Sequence, residues 1–283
     1  MPRIVFGLYP TRSLNARRRL IRHLPNVVAD GRTELIMKEM QHILSRVRCA
    51  VDRYSMIDGG DIIAVGVSGG KDSLALLCAM AQLREFYPKP FEVVALMLDM
   101  GFDAVENLGA SPMDTSGIAE LCRRIRVPFY VKKTEIAHVI FDVRREDNPC
   151  SLCARMRRGS LHDFAKEVGA GKVALGHHFD DAAETMMLNL FFEGRVGCFS
   201  PVTYLSNKDI TVIRPLILTE ERDVKAFVKR AHIPVIKSPC PMDETSERAR
   251  MKELLHSLDR EHRGLYTRIV GALERGNIDG WHE

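Results

Sequence analysis

The sequence predicts an α/β fold in which a parallel sheet carries helices on both faces, with helical additions at the N- and C-terminal ends. Two observations predict it. Short apolar, β-rich runs alternate with longer stretches of helical period along most of the 283 residues, and such a β-α-β-α order feeds a parallel sheet. The runs are also apolar throughout rather than alternating, which fits strands buried on both sides.

In chain order, Glu34–Ile57 has helical period and runs into the turn "DGGD" at 58–61. Strands are expected at Asp61–Val67, Phe91–Asp99, Pro128–Thr134, Lys172–Gly176 and Ile210–Leu216. Between and after them lie helical patterns at Lys71–Phe86, Asp114–Arg126, Ser151–Val168, Asp180–Glu193 and Glu220–Ala231. Two further helices, Thr245–Leu258 and Glu261–Arg275, close the chain. The expected organisation is a basic N-terminal extension and helix at 1–57, an α/β core at 58–218, and a C-terminal helical region at 219–283.

Composition narrows the class. Apolar residues make up 46%, ordinary for a chain with a real core, and no apolar run is long enough to span a bilayer. The net charge is only +4, but basic residues cluster at Thr11–His23, Arg123–Arg126 and Arg155–Arg158. Such clusters mark either a nucleic-acid face or a solvated surface. The first segment has no acid until Asp30 and no apolar core, so it is not a secretory signal. We read it as a basic extension of a cytoplasmic protein in preference to an organelle transit segment. Seven cysteines without a disulfide framework fit a reducing compartment. Cys49, Cys78 and Cys122 fall in apolar helical patterns and are expected in the core; Cys198 falls in a loop.

The chemistry starts at "GVSGGKDSLALL", Gly66–Leu77, just after the first core strand. It fits neither common phosphate template. A Walker A loop needs Gly where Val65 stands and Ser or Thr where Asp72 stands, and the Rossmann pattern fails at Ser68. The turn nevertheless has what a phosphate site requires. Ser68, Gly69 and Gly70 can present successive backbone N–H groups, and a helix starting at Lys71 turns its positive end to an anion. Ser68 and Ser73 add hydroxyl donors. "SGGKDS" resembles the S-G-G-x-D-S PP-loop of ATP pyrophosphatases, which cleave ATP between its α and β phosphates. The resemblance implies that Ser68, Gly69, Gly70, Lys71, Asp72 and Ser73 surround the pyrophosphate.

Two strand ends support a nucleotide site. Asp99 closes "LDMGF" at the carboxyl edge of the second strand, where open α/β sheets bind ligands; it either contacts ribose or adenine, or caps a turn. "GHHFDDAAETMMLNLF", Gly176–Phe191, ends another strand with His177 and His178 and opens a helix with Asp180 and Asp181. Asp181 and Glu184 share one helix face. This pattern points to a Mg²⁺–nucleotide site at His177 and Asp181, with N-terminal capping by the acids as the plainer reading. The segment also resembles the second motif of tRNA-modifying PP-loop enzymes.

"NPCSLCARMRRGSL" carries Cys150 and Cys153 as C-x-x-C beside Arg155, Arg157 and Arg158, and Cys240 follows far downstream between prolines. A lone C-x-x-C can be a redox pair or half of a zinc site, with His138 or His162 as further ligand. Three thiolates also suit an iron–sulfur cubane with one iron left open. The order S-G-G-x-D-S, C-x-x-C-x-R-x-R-R-G, G-H-H-x-D-D-x-x-E-T and a single distant Cys resembles the TtcA-type tRNA 2-thiocytidine synthetases over roughly Lys38–Leu258. The resemblance implies a Rossmann-like, adenine nucleotide alpha hydrolase-like fold and an ATP-dependent tRNA sulfurtransferase that releases AMP and pyrophosphate. It implies ATP, Mg²⁺ near Asp181, and a [4Fe-4S] cluster on Cys150, Cys153 and Cys240, with Lys71 and Asp72 at the reaction centre. It also implies an anticodon-loop cytidine as acceptor, a sulfur donor such as a cysteine desulfurase, and a homodimer. Rival expectations are a PP-loop thiolase or ligase of the 2-thiouridine or lysidine type, a PP-loop enzyme adenylating a small metabolite, and a non-catalytic RNA-binding protein.

Overall fold

The computed structural model describes residues 3–4, 31–106, 108–144, 149–237, 240 and 247–282; the basic segment 11–23 lies outside them. Seven strands, β1 (Arg3–Ile4), β2 (Ile62–Val67), β3 (Glu92–Asp99), β4 (Phe129–Lys133), β5 (Lys172–Ala174), β6 (Val202–Leu205) and β7 (Ile210–Ile213), form one sheet in the order β1-β4-β3-β2-β5-β7-β6. The five inner strands are parallel, as their apolar runs predict. The two edges are antiparallel, which the sequence reading did not anticipate. Only four residues, 206–209, join β6 to β7, too few for a parallel crossover. β6 escaped notice because no residue in it is fully buried, so it shows no apolar run.

Burial on both sides of the sheet is visible along β2. Ile63, Val65 and Val67 enter the larger core cluster, whereas Ala64 faces a second cluster with Val94, Leu96 and Val173. The larger cluster takes in the helices α1 (Gly31–Glu39), α2 (Gln41–Arg53), α3 (Lys71–Arg84) and α4 (Ser116–Arg124). The second is roofed by Phe164 and Ala165 of α5 (Pro149–Glu167). Four further helices are α6 (Phe179–Phe192), α7 (Glu221–Arg230), α8 (Glu247–Glu261) and α9 (Leu265–Arg275), and Ala182, Phe227, Met251 and Leu273 from these four join the larger core. The single helix expected at Glu34–Ile57 divides into α1 and α2 at the fully buried Met40.

Cys78 and Cys122 lie in the core as expected, and burial pushes the Cys78 thiol up to about 12. Cys49 corrects the expectation: it is exposed on α2, because the apolar stripe of Ile43, Leu44, Val47, Ala50 and Val51 passes to one side of it. Among the described residues no helix is long and apolar enough to cross a membrane.

What matters for chemistry is where the strand order turns. β3 lies on one side of β2 and β5 on the other, so connections leave in opposite directions and open a crevice at the carboxyl ends of β2 and β5. The Ser68–Ser73 turn follows β2 and the Gly176–Asp181 segment follows β5. Both predicted motifs meet there.

Candidate active site

The turn after β2 is held open by its own side chains. Ser73 Oγ donates to Gly70 O at 2.9 Å and accepts from the Ser68 backbone N–H at 3.1 Å. Ser68 Oγ accepts from Gly70 N–H at 3.3 Å. Gly69 has φ +85°, the left-handed region that glycine adopts without a Cβ clash. Its carbonyl accepts from Ile236 N–H at 2.9 Å, and a Cβ would stand 3.1 Å from Ile236 Cβ. α3 starts directly behind, capped by Gly70 in extended conformation. The Ser68 and Gly70 N–H groups are thus spent on hydroxyls within the turn, and what the turn offers an anion is the N-terminus of α3 directly behind it.

Lys71 and Asp72 form the turn's charged pair, with Lys71 Nζ donating to Asp72 Oδ2 at 2.8 Å. Lys71 Nζ also lies 3.0 Å from Glu221 Oε1. Burial opposes the charge on Lys71, but Asp72 and Glu221 outweigh it and raise the pKa. Asp72 Oδ1 is buried without a hydrogen-bond partner and faces His178 Nε2 at 3.7 Å.

His178 joins the two motifs. It caps α6 reciprocally: its Nδ1 accepts from Asp181 N–H at 3.3 Å, while Asp181 Oδ2 accepts from His178 N–H at 2.9 Å. An accepting Nδ1 leaves the proton on Nε2, toward Asp72. The capping role that the sequence left open is thus present. Arg248, from α8, bridges Asp181 Oδ1 at 3.3 Å and Thr185 Oγ1 at 3.2 Å. Asp180 Oδ2 accepts from Glu221 N–H at 2.7 Å and fastens α6 to the start of α7. At the end of β5, Gly176 presses on the turn: a Cβ there would stand 3.0 Å from Asp72 C and Ser73 N.

Glu184, one turn past Asp181, is only 2% exposed, and its Oε1 has no partner. Burial first, then the Asp181 charge, raises its pKa from 4.5 to about 7. Folded chains thus keep a proton that unfolded chains have released, so the stability from Glu184 is whole below pH 4.5 and is lost as pH rises through about 7. Replacing Glu184 with Gln should remove that loss. Between about pH 5 and pH 8 the variant should gain about 3 kcal/mol on the wild type in urea unfolding. An unchanged difference across that range would show that Glu184 ionises freely.

His177 points elsewhere. Burial, then Arg214, lowers its pKa to about 4, so it is neutral, and its Nδ1 has no partner. Its ring lies 4.8 Å from the Phe199 ring, and the Arg214 guanidinium sits 5.1 Å from the same ring. Burial lowers Arg214 to about 10. The loop carrying Phe199 is clasped by the C-terminal segment: Trp281, fully buried, donates to Phe199 O at 3.0 Å, and Asp279 Oδ2 accepts from Cys198 N–H at 2.7 Å. Asp99 forms the turn that was one of its two readings, accepting from Gly101 N–H at 3.0 Å.

The three motif cysteines share one region. Cys153 and Cys240 pack against the apolar cluster of Met100, Phe102, Val105, Ile136 and Ile140, and Cys150 is exposed nearby on α5. Burial raises the Cys153 pKa; Arg157 opposes this, while Cys240 and Cys150 add to it. Cys153 therefore lies within electrostatic reach of both. Among the described residues no three Cys, His, Asp or Glu close around a metal-sized point, and the prolines flanking Cys240 lie outside those residues. None of the seven cysteines forms a disulfide. His138 is taken by Asp142 at 2.7 Å, and His162 is buried with Asp163 as its nearest charge partner. Two thiols on an apolar wall, a third exposed beside them on α5 and an arginine near Cys153 fit an iron–sulfur cluster in kind and number.

The sequence reading missed Glu221, Lys252, Arg248, Arg214 and Phe199. Each lies in a stretch with no motif of its own; only contacts over long chain separations reveal it.

A family model described as a PP-loop domain matches residues 37–258. The tRNA-cytidine(32) 2-sulfurtransferase of Pelobacter propionicus is 35% identical over 258 residues, covering 88% of this chain and 93% of that protein. The tRNA-cytidine(32) 2-sulfurtransferase of Geobacter sulfurreducens is 37% identical over 239 residues, covering 83% and 89%. Among solved structures, the U34-tRNA thiolase NcsA from Methanococcus maripaludis, with its [4Fe-4S] cluster, aligns with a TM-score of 0.67 at 26% identity, covering 86% of this chain and 79% of that one. With matches of this extent and a PP-loop at the turning point of the sheet, the chain belongs to the PP-loop family that contains the tRNA-cytidine(32) 2-sulfurtransferases.

Proposed function

We propose that the chain is an ATP-dependent tRNA sulfurtransferase that replaces the C2 oxygen of an anticodon-loop cytidine with sulfur. One observation carries the reading: a PP-loop at the sheet crevice, in the same chain as three neighbouring thiols on and beside α5.

ATP binds with its phosphates against Ser68–Ser73. The N-terminus of α3 faces the charge that builds on departing pyrophosphate, and Lys71 adds a cation. Asp72 orients Lys71. The cytidine C2 oxygen attacks the α phosphorus, the bond to the β-phosphate bridging oxygen breaks, and pyrophosphate leaves. His177, neutral beside Phe199 and Arg214, offers an apolar, uncharged wall for an unstacked base. Asp181 would hold Mg²⁺ after yielding Arg248, and Asp99 would border the ribose. Cys150, Cys153 and Cys240 would hold the [4Fe-4S] cluster, which when bound supplies sulfur to C2 as AMP leaves. Arg155, Arg157 and Arg158, exposed on α5, position the RNA backbone and carry little sequence information.

Sulfur would come from a donor such as a cysteine desulfurase. Seven thiols without a disulfide support a reducing, cytoplasmic setting. The exposed apolar run Leu190–Phe192 with Val196 supports a homodimer, which sedimentation would reveal or exclude.

Anaerobically purified protein, ATP and unmodified tRNA should release pyrophosphate only when tRNA is present, and nucleoside mass spectrometry should then find 2-thiocytidine. The likeness to a U34-tRNA thiolase favours 2-thiouridine as the second reading, and the same spectrum separates them. Pyrophosphate release driven by a small metabolite without tRNA would overturn both.

A further inference from the structure

Three ammonium groups meet on the single carboxylate of Glu221, whose side chain is 4% exposed. Oε1 accepts from Lys252 at 2.6 Å and lies 3.0 Å from Lys71 Nζ. Oε2 accepts from Lys225 at 2.9 Å. Two lysines thus share one oxygen atom, and one of them is the first helical residue of the phosphate turn. The other comes from α8, far along the chain. Three cations on one anion leave positive charge to spare. Asp72 takes part of it from Lys71. Of the other carboxylates nearby, Asp180 accepts from Glu221 N–H and Asp181 from Arg248 and His178, while Glu184, within electrostatic reach of Lys252, is pushed by burial toward its neutral form. Lys71 and Lys252 are about one-third exposed, so a ligand can reach both.

We propose that Lys252 is a second phosphate-binding lysine of the nucleotide site, brought to the Ser68–Ser73 turn by α8 and held beside Lys71 by Glu221. The proposal rests on reading that turn as the pyrophosphate cradle, and it adds a binding group from outside the turn. When a triphosphate enters, Lys71 and Lys252 turn from the shared oxygen to the phosphate oxygens. Lys225 stays on Oε2, so Glu221 is not left as a buried, uncompensated charge. Lys252 then faces the part of the nucleotide that leaves, and favours triphosphate and pyrophosphate over AMP. The plain alternative is an ion pair that only pins α8 to α7.

Titration calorimetry on the full chain separates the two. Wild type, Lys252→Met, Lys252→Arg and Ser73→Ala are titrated with the magnesium complex of α,β-methylene-ATP, with magnesium pyrophosphate, and with AMP. Lys252→Met should bind the first two about ten- to hundredfold more weakly and AMP within about twofold, the loss expected for one charged hydrogen-bond donor. Lys252→Arg should stay within about threefold of wild type. Lys252→Gln gives the same reading should the Met variant not fold. If Lys252→Met melts lower yet binds all three ligands as wild type does, while Ser73→Ala weakens them, the lysine only pins the helix and the proposal fails alone. If wild type binds neither triphosphate nor pyrophosphate, the cradle reading falls, and this proposal with it.

Discussion

Replacing Cys240 with Ala should end thiolation and leave nucleotide binding in place. Cys240 stands with Cys153 on the apolar cluster around Met100, Phe102 and Ile136, whereas the phosphate turn is built by Ser68, Gly69, Gly70 and Ser73. On the proposed function, losing Cys240 removes a direct cluster ligand, and even changes in the shell behind a metal ligand cost about ten- to a hundredfold. Thiolated nucleoside should fall by more than about a hundredfold. The cluster iron expected of the wild type should be lost with it. Affinity for a non-cleavable ATP analogue should change by less than about twofold. Cys150→Ala should behave alike. Cys49→Ala is the control, because that thiol is exposed on α2, away from this cluster. Wild-type thiolation in Cys240→Ala would end the three-thiol reading.

Replacing Gly176 with Val should do the reverse, sparing the thiol region and damaging adenylation. A Cβ at Gly176 would stand 3.0 Å from Asp72 C and Ser73 N, and both are backbone atoms at the start of α3. They cannot swing aside as the tip of a side chain would, so the turn must move. Overpacking of this kind costs about 1–3 kcal/mol. A displacement of about 1 Å at a reacting centre costs on the order of a hundredfold in rate. Pyrophosphate release should fall by about that factor while colour and iron content stay at wild-type levels. Equal rates in variant and wild type would show that the close approach of β5 to the turn does not set the geometry of the phosphates.

Much of this site was legible because its pieces are contiguous. "SGGKDS" places backbone donors, two hydroxyls and a helix N-terminus within six residues, and local sterics settle their arrangement. "GHHFDD" was legible as a strand end followed by a helix start, though its capping geometry was only one of two readings. β2, β3, β5 and β7 showed as apolar runs because they are largely buried. β6 did not, because it lies at an edge and turns Tyr204 outward. Cys49 misled for a related reason: helical period tells which residues share a stripe, but its immediate neighbours in sequence are not its neighbours on the helix surface.

The amino-acid order by itself determined the α/β class, the crevice-forming turn after β2 and the set of thiols available, since each follows from nearest-neighbour sterics or from the chemistry of side-chain types. The company these groups keep is set by packing in three dimensions. Glu221 draws in Lys71 from α3 and Lys252 from α8, Arg248 reaches back to Asp181, and Trp281 at the far end of the chain steadies Phe199 beside His177. Such pairings join residues tens to hundreds of positions apart. No local period or spacing encodes them; they exist because the packing of α6 to α9 against the sheet brings those side chains within reach.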